Sequence, residues 1–155
     1  ETIVFQQVFP AQTWVLKREL MWIPLFGWAL ALTRPIAIDR GAGRKAVEQV
    51  ITQGRERLRS GIWVVVFPEG TRVAPGTRKR YALGGAVLAA ETGYPVVPVA
   101  HNAGSFWLRR GFLKKPGTVR VVIGPTIDPR GRKAEEIIRQ TEEWIEKMML
   151  ELESK

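Results

Sequence analysis

The chain has 155 residues, of which 45% are hydrophobic, and this content excludes a disordered tail and suits one compact domain. Lys and Arg number 24 against 15 Asp and Glu, so the formal net charge of +9 favours nucleic acid, anionic lipid headgroups or acidic carrier substrates as partners. The chain has no cysteine and one histidine, which excludes disulfides, thiolate catalysis and a zinc cluster. We therefore expect no metal ion.

The first long apolar stretch runs from Met21 to Leu32 and is shorter than the ~20 residues needed to cross a bilayer. It contains two Trp residues, and Arg18 and Arg34 flank it. Two interpretations stay open. The stretch is either a buried core segment or an interfacial segment, since Trp favours the headgroup boundary of a membrane.

The segments that follow predict an α/β fold. Apolar residues at helical spacing predict three helices, and short β-branched apolar runs predict buried strands. The helices are expected at 44–60, 83–92 and 134–152, and the strands at 62–67, 96–100 and 119–123. Because strands separated by helices are typical of parallel sheets, we expect a mainly parallel sheet flanked by helices.

Polar residues follow the first of these strands. Pro68 ends the ladder, Gly70 permits backbone angles that other residues resist, and the Arg72 guanidinium is a planar fork suited to two phosphate oxygens. Glu69 and Thr71 add a carboxylate and a hydroxyl. The pattern predicts an anion site. Its alternative is an ordinary turn with a solvated Glu/Arg pair.

Three sequence blocks resemble, in the same order, those of the glycerolipid acyltransferases, which make phosphatidic acid from lysophosphatidic acid. Phe67 to Arg72 resembles the phosphate-binding block of that family. An upstream block resembles one that ends in a phosphate-contacting Arg, and it comprises Lys17 to Leu20, Ile23-Pro24, Gly27 and Ile38-Asp39-Arg40. Downstream, Val97 to Ala100 resembles an apolar strand that lines the acyl site. The resemblance covers residues 1–128 and implies a glycerolipid acyltransferase-like α/β fold.

The resemblance also implies roles for individual residues. Arg40 and Arg72 would hold the acceptor phosphate, with Glu69 bracing an Arg or accepting a glycerol hydroxyl. Gly70 and Thr71 would add backbone or hydroxyl donors. The acyl site would be lined by Pro24, Val97, Pro98 and Val99. We also expect a strand just before Arg40. Since Arg40, Glu69 and Arg72 would then each follow a predicted strand, one edge of a parallel sheet can hold all three.

The first block of the family, His followed four residues later by Asp or Glu, is absent from the 155 residues. The residue five positions after His101 is Phe106. Glu1 resembles the acidic end of that block, so the resemblance places the catalytic His five residues before Glu1, which would orient it. We expect residues 1–155 to form a single acyltransferase domain that lacks its N-terminal part and is inactive by itself. We expect a structural role for His101.

One feature departs from the family pattern. After the phosphate block, family members often have an aromatic residue followed by Lys and then Gly, whereas this chain has Tyr81-Ala82-Leu83-Gly84. Arg78, Lys79 and Arg80 come just before and either substitute for the missing Lys or are simply solvated.

The resemblance implies acyl transfer to lysophosphatidic acid from acyl-CoA or acyl carrier protein, with no other cofactor. Related families accept glycerol 3-phosphate or ornithine-type lysolipids, and two Arg residues favour a phosphate acceptor. We expect association with an anionic membrane surface, at the cytoplasmic face of a bacterial inner membrane, and no nucleic-acid partner. Two alternatives stay open: a nucleic-acid-binding module that uses basic loops and six Trp, or a non-catalytic membrane-surface protein.

Overall fold

The computed structural model describes residues 2–71, 73, 77–106 and 115–153. Its helices are α1 (Thr2–Val8), α2 (Phe26–Leu32), α3 (Arg44–Arg59), α4 (Gly84–Thr92), α5 (Ala103–Phe106) and α6 (Ala134–Glu153). Its strands are β1 (Gln12–Lys17), β2 (Ile36–Ile38), β3 (Trp63–Val65), β4 (Val99–His101) and β5 (Val121–Ile123). There are also two 3₁₀ turns in the described residues. Arg18–Trp22 directly follows β1, and Arg40–Ala42 comes after β2.

The sheet that positions the candidate site is parallel, in the order β2-β1-β3. Val15 lies opposite Ile36, and Gln12 lies opposite Trp63. All three strands therefore end at the same edge. The prediction of an α/β fold with a parallel sheet flanked by helices is confirmed, although β4 and β5 form a separate antiparallel pair instead of extending this sheet.

The strand predicted over 62–67 is shorter and less buried than the sequence suggests. The observed β3 covers Trp63–Val65, and the Trp63 residue is 43% exposed. The prediction of burial on both faces is wrong here, because none of the three residues of β3 is fully buried. In the described sheet β3 is also an edge strand, which pairs only with β1. The sequence analysis also missed α1 and β1, which are short elements without a sustained apolar period.

Two apolar clusters join the helices to the sheet. Ile36, Ile38, Val50 and Leu88 are buried together and connect β2 with α3 and α4. Ala86, Ile127 and Ile137 form the second cluster, between α4 and α6. Burial of a side chain such as Ile contributes ~1.5–3 kcal/mol, so these contacts fix the helices against the strands.

The apolar stretch from Met21 to Leu32 is not part of this core. Gly27 is buried against the backbone of Met21, but the large side chains of the stretch point outward. The exposed ones are Trp22, Ile23, Leu25, Phe26, Trp28 and Leu32. The buried-core interpretation is therefore wrong, and the interfacial one remains. Within the described ranges, no helix combines the length and apolar character needed to cross a membrane.

The close approach of α3 and α4 at Gly54 generates a stability prediction. A β-carbon added at Gly54 would lie 2.5 Å from Leu88 Cδ2, and Leu88 is itself buried. We expect Gly54→Val to lower the free energy of unfolding by about 1–3 kcal/mol because of overpacking, although Val suits a helix better than Gly. Urea denaturation measures this change.

Glu48→Val is the matched control because it places the same side chain at an exposed position of α3. It should change the free energy of unfolding far less than Gly54→Val. Equal losses from the two variants would contradict the packing argument.

Candidate active site

Two loops from distant parts of the sequence meet at the carboxyl edge of the parallel sheet. Arg40 lies in the 3₁₀ turn after β2, and Gly70 lies in the turn after β3. The Arg40 Nη1 atom donates a hydrogen bond to the carbonyl oxygen of Gly70. The structure thus joins the Arg of the upstream block to the phosphate block, leaving further guanidinium donors for a ligand.

Side chains from α3 hold the end of β2 in place. The Gln53 amide accepts from the Ala37 N–H at 3.2 Å and donates to the Ala37 carbonyl at 3.1 Å, as a neighbouring strand would. Gln49 Oε1 accepts from the Asp39 N–H at 2.9 Å. Asp39 Oδ1 in turn accepts from the Gly41 N–H at 2.9 Å. The backbone on both sides of Arg40 is therefore fixed.

The phosphate block itself is a tight turn. The Gly70 N–H donates to the Phe67 carbonyl at 3.0 Å, and Gly70 has a φ of +68°. This is the left-handed region in which a side chain is strained, so the requirement for Gly is conformational. Thr71 is exposed. Arg72 lies outside the described residues, and its phosphate contact stays a prediction.

Glu69 is the partly buried carboxylate of the turn. Burial is the main cause that raises its pKa above the ordinary value of 4.5, and the negative charge of Glu146 adds to the effect. The positive charge of Lys79 acts in the opposite direction. The Glu69 carboxylate therefore experiences opposing charges, from an acidic group on α6 and from a cation that follows the phosphate block.

Glu146 was not anticipated from the sequence. Its Oε1 accepts a hydrogen bond from the Tyr81 hydroxyl at 3.3 Å, and its Oε2 lies 2.9 Å from Arg78 Nε. Burial first, and then the negative charge of Glu146, raises the pKa of Tyr81, which keeps this hydroxyl protonated and able to donate. The amphipathic period of α6 indicated core packing and gave no signal for a contact 65 residues away in sequence.

Helix α1 begins at the same edge of the sheet. The Phe5 ring stacks on Phe67 at a centroid distance of 6.3 Å, and the Phe9 ring stacks on Trp63 at 6.0 Å. Phe5 precedes Phe9 while Phe67 follows Trp63, so α1 runs antiparallel to β3. Its first turn therefore lies towards the phosphate block. Glu1 lies outside the described residues.

His101 lies at the end of β4. Its Nδ1 atom accepts a hydrogen bond from the Ala103 N–H at 3.4 Å, and its ring meets the Phe5 ring edge-on at 5.7 Å. These two contacts support the expected structural role.

The residues predicted to line the acyl site lie in two parts of the fold. Pro24 is exposed in the apolar stretch. Val97 and Val99 are half-buried next to Pro98, which is fully buried, and the Pro98 carbonyl accepts from the Gly124 N–H at 2.8 Å. Their contact with an acyl chain stays a prediction, and Val97 and Val99 are more accessible than Pro98.

These features define an α/β protein with an Arg-lined turn at the carboxyl edge of a parallel sheet. The model of the acyltransferase family matches residues 2–102. The chain belongs to the acyltransferase family.

Named relatives are consistent with this assignment. The chain is 45% identical over 155 residues to the 1-acyl-sn-glycerol-3-phosphate acyltransferase of Pseudomonas aeruginosa, with 98% of this chain and 60% of the relative covered. Identity to the Escherichia coli enzyme of the same name is 34% over 124 residues, covering 78% of this chain and 49% of that one. The chain thus spans about 60% of the length of the Pseudomonas protein.

A solved structure is similar in fold. The crystal structure of the 1-acyl-sn-glycerophosphate acyltransferase PlsC from Thermotoga maritima matches with a TM-score of 0.73 and 27% identity. The match covers 93% of this chain and 58% of that chain.

The environment of Glu69 predicts a pH-dependent effect on stability. Its pKa is raised in the folded protein, so folding favours the protonated carboxyl, and this contribution to stability is lost as the pH rises through the folded pKa. Glu69→Gln removes the ionisation. We expect the stability of the Gln variant, relative to the unsubstituted chain, to be greater at pH 7 than at pH 4.

Thermal unfolding of both proteins at the two pH values measures this difference. Glu143→Gln on α6 is the control, because its side chain is exposed. A relative stability of Glu69→Gln that falls between pH 4 and pH 7 would contradict the raised pKa.

Proposed function

We propose that this protein transfers a fatty acyl group from an acyl thioester to the free hydroxyl of lysophosphatidic acid, giving phosphatidic acid in phospholipid biosynthesis. The contact between Arg40 and Gly70 carries the proposal, because it unites two blocks that resemble phosphate-binding blocks at one sheet edge. The names of the Pseudomonas and Escherichia coli relatives support the same reaction. Family membership favours an enzyme over the nucleic-acid-binding alternative.

The reaction needs a grip on the acceptor, and the described residues offer one. Arg40 uses one donor on the Gly70 carbonyl, and its remaining N–H groups suit phosphate oxygens. Arg72 would complete the grip from the same turn. Glu69, which is partly buried and precedes Gly70 in the same turn, would accept a glycerol hydroxyl or brace Arg72.

The reaction also needs a base to take the proton of the acceptor hydroxyl. The resemblance assigns this role to a His five residues before Glu1, with Glu1 fixing its tautomer. The direction of α1 supports this proposal, because its first turn lies towards the phosphate block. Acyl-CoA or acyl carrier protein would supply the acyl group, and no further cofactor is proposed.

The exposed apolar stretch suits contact with a membrane. Its 3₁₀ turn directly follows β1, whose carboxyl end lies at the same edge as Arg40 and Gly70. Exposed Trp22 and Trp28, flanked by Arg18 and Arg34, match a surface that enters the headgroup region of anionic lipid. A lipid acceptor would then reach the site from the bilayer. We propose that the enzyme acts at the cytoplasmic face of a bacterial inner membrane.

The phosphate grip predicts a graded effect of substitution at Arg72. In an active enzyme, Arg72→Ala should raise the KM for lysophosphatidic acid by about tenfold or more, because a charge-assisted contact is lost. Arg72→Lys should also raise it, since an ammonium cannot reproduce a bidentate fork. The KM for the acyl donor should change little. Steady-state kinetics with each substrate varied in turn measures these values.

Arg139→Ala is the control for net charge, because Arg139 is an exposed cation on α6. Unchanged acceptor kinetics in a folded Arg72→Ala enzyme would refute the assignment.

The exposed Trp residues predict a membrane-binding defect. The double variant Trp22→Ser and Trp28→Ser should bind anionic liposomes several-fold more weakly, because both side chains would lose their contact with the interface. Cosedimentation measures the bound fraction. Leu150→Ser, at an exposed apolar position of α6, is the control. Equal loss in the two proteins would contradict a specific membrane-facing surface, and preferential binding of a mixed oligonucleotide would favour the nucleic-acid alternative.

A further inference from the structure

The segment from Arg78 to Ala82, which comes after the phosphate block, is attached to two other parts of the fold. Near its start, Arg78 Nε lies 2.9 Å from Glu146 Oε2, and Tyr81 donates to the same carboxylate at 3.3 Å. At its end, the Ala82 N–H donates to the Pro68 carbonyl at 2.8 Å. The first attachment comes from α6 and the second from the phosphate block.

The carboxylate of Glu146 is well placed to fix the loop. Its side chain is 23% exposed, and Tyr81 is only 5% exposed, whereas the Arg78 side chain is 69% exposed. The anchor is therefore a half-buried charge with two partners, one of them in the core. Such an anchor holds a loop better than a solvated surface pair does.

Lys79 and Arg80 lie between Arg78 and Tyr81, the two residues that contact Glu146. Lys79 is close enough to Glu69 that its charge lowers the pKa of that carboxyl. Lys79 is also three residues from Ala82, whose N–H is hydrogen-bonded to Pro68, so this cation lies near the phosphate block.

We propose that Glu146 is a positioning residue for acceptor binding, which holds the loop so that Lys79 reaches the phosphate of the acceptor. The inference rests on the proposed function. It adds a residue of α6, which is remote in sequence, to the residues that support the acceptor site. Without Glu146 the loop has to be ordered anew each time a ligand binds, and the affinity falls.

Simple electrostatics predicts the opposite change in affinity. Glu146→Gln removes a negative charge near the site, which by itself would strengthen the attraction for a phosphate. Glu146 is paired with Arg78, and its neutralisation would leave that cation uncompensated, so the electric field alone predicts tighter binding. Weaker binding by Glu146→Gln would therefore indicate that Glu146 positions the loop, whereas tighter binding would indicate that its charge acts directly on the phosphate.

The test is calorimetric binding of a short-chain lysophosphatidic acid to the 155-residue chain. We expect Glu146→Gln to raise the Kd about five- to tenfold. Arg78→Gln should raise it to a similar extent, and the double variant no further than either. Lys79→Gln should weaken binding in the unsubstituted chain and have little effect in the Glu146→Gln background, as a double-mutant cycle measures.

Glu143→Gln is the matched control on the same helix, since Glu143 is exposed. It should leave the Kd unchanged. Arg78→Gln alters a mostly exposed side chain and keeps the test decisive if Glu146→Gln fails to fold. In an active enzyme the same variants should raise the acceptor KM while kcat stays within about twofold.

An unchanged or tighter Kd in folded Glu146→Gln would overturn the inference, as would an equal effect of Lys79→Gln in both backgrounds. Failure of the unsubstituted chain to bind lysophosphatidic acid would instead refute the proposed acceptor, and the inference with it. The two failures are therefore distinguishable.

Discussion

The hydrogen bond from Arg40 to the Gly70 carbonyl is the contact on which the candidate site depends. It forms because β2 and β3 are both parallel to β1, so the loops that follow them end at one edge. On one side, Gln49 and Gln53 of α3 fix the backbone around Arg40. On the other, the Gly70 carbonyl belongs to a turn whose left-handed φ favours Gly. A register shift in β1 would separate the two blocks.

A second constraint is the negative charge of Glu69 and Glu146 near this edge of the sheet. Glu69 is partly buried and experiences the charge of Glu146, so its ionised form is disfavoured in the folded state. Arg78 and Lys79 offset the two carboxylates without removing the burial. A carboxylate kept at such a position is typical of functional sites, where stability is given up for chemistry. This interpretation agrees with an acceptor site that binds both a phosphate and a hydroxyl.

The sequence predicted the long helices well because their apolar periods extend over several turns, as α3 and α6 show. It missed α1 and β1, which are short, and it overestimated β3, since pairing partners decide burial and a local pattern does not specify them. The Gly at position 70 was anticipated from turn chemistry, and its positive φ is observed. The role of Glu146 could not be predicted from the sequence, because a single polar residue on an amphipathic helix does not reveal its tertiary partner.

The most direct test of the central claim is the rate of acyl transfer from a thioester to lysophosphatidic acid, compared between the 155-residue chain and the protein carrying its native upstream segment. The proposed base, a His five residues before Glu1, predicts transfer only by the longer protein and loss of transfer when that residue is replaced by Ala, because a positioned base contributes about 10²- to 10⁴-fold. Robust transfer by the 155-residue chain that is abolished by His101→Ala would contradict the account and assign the base to His101.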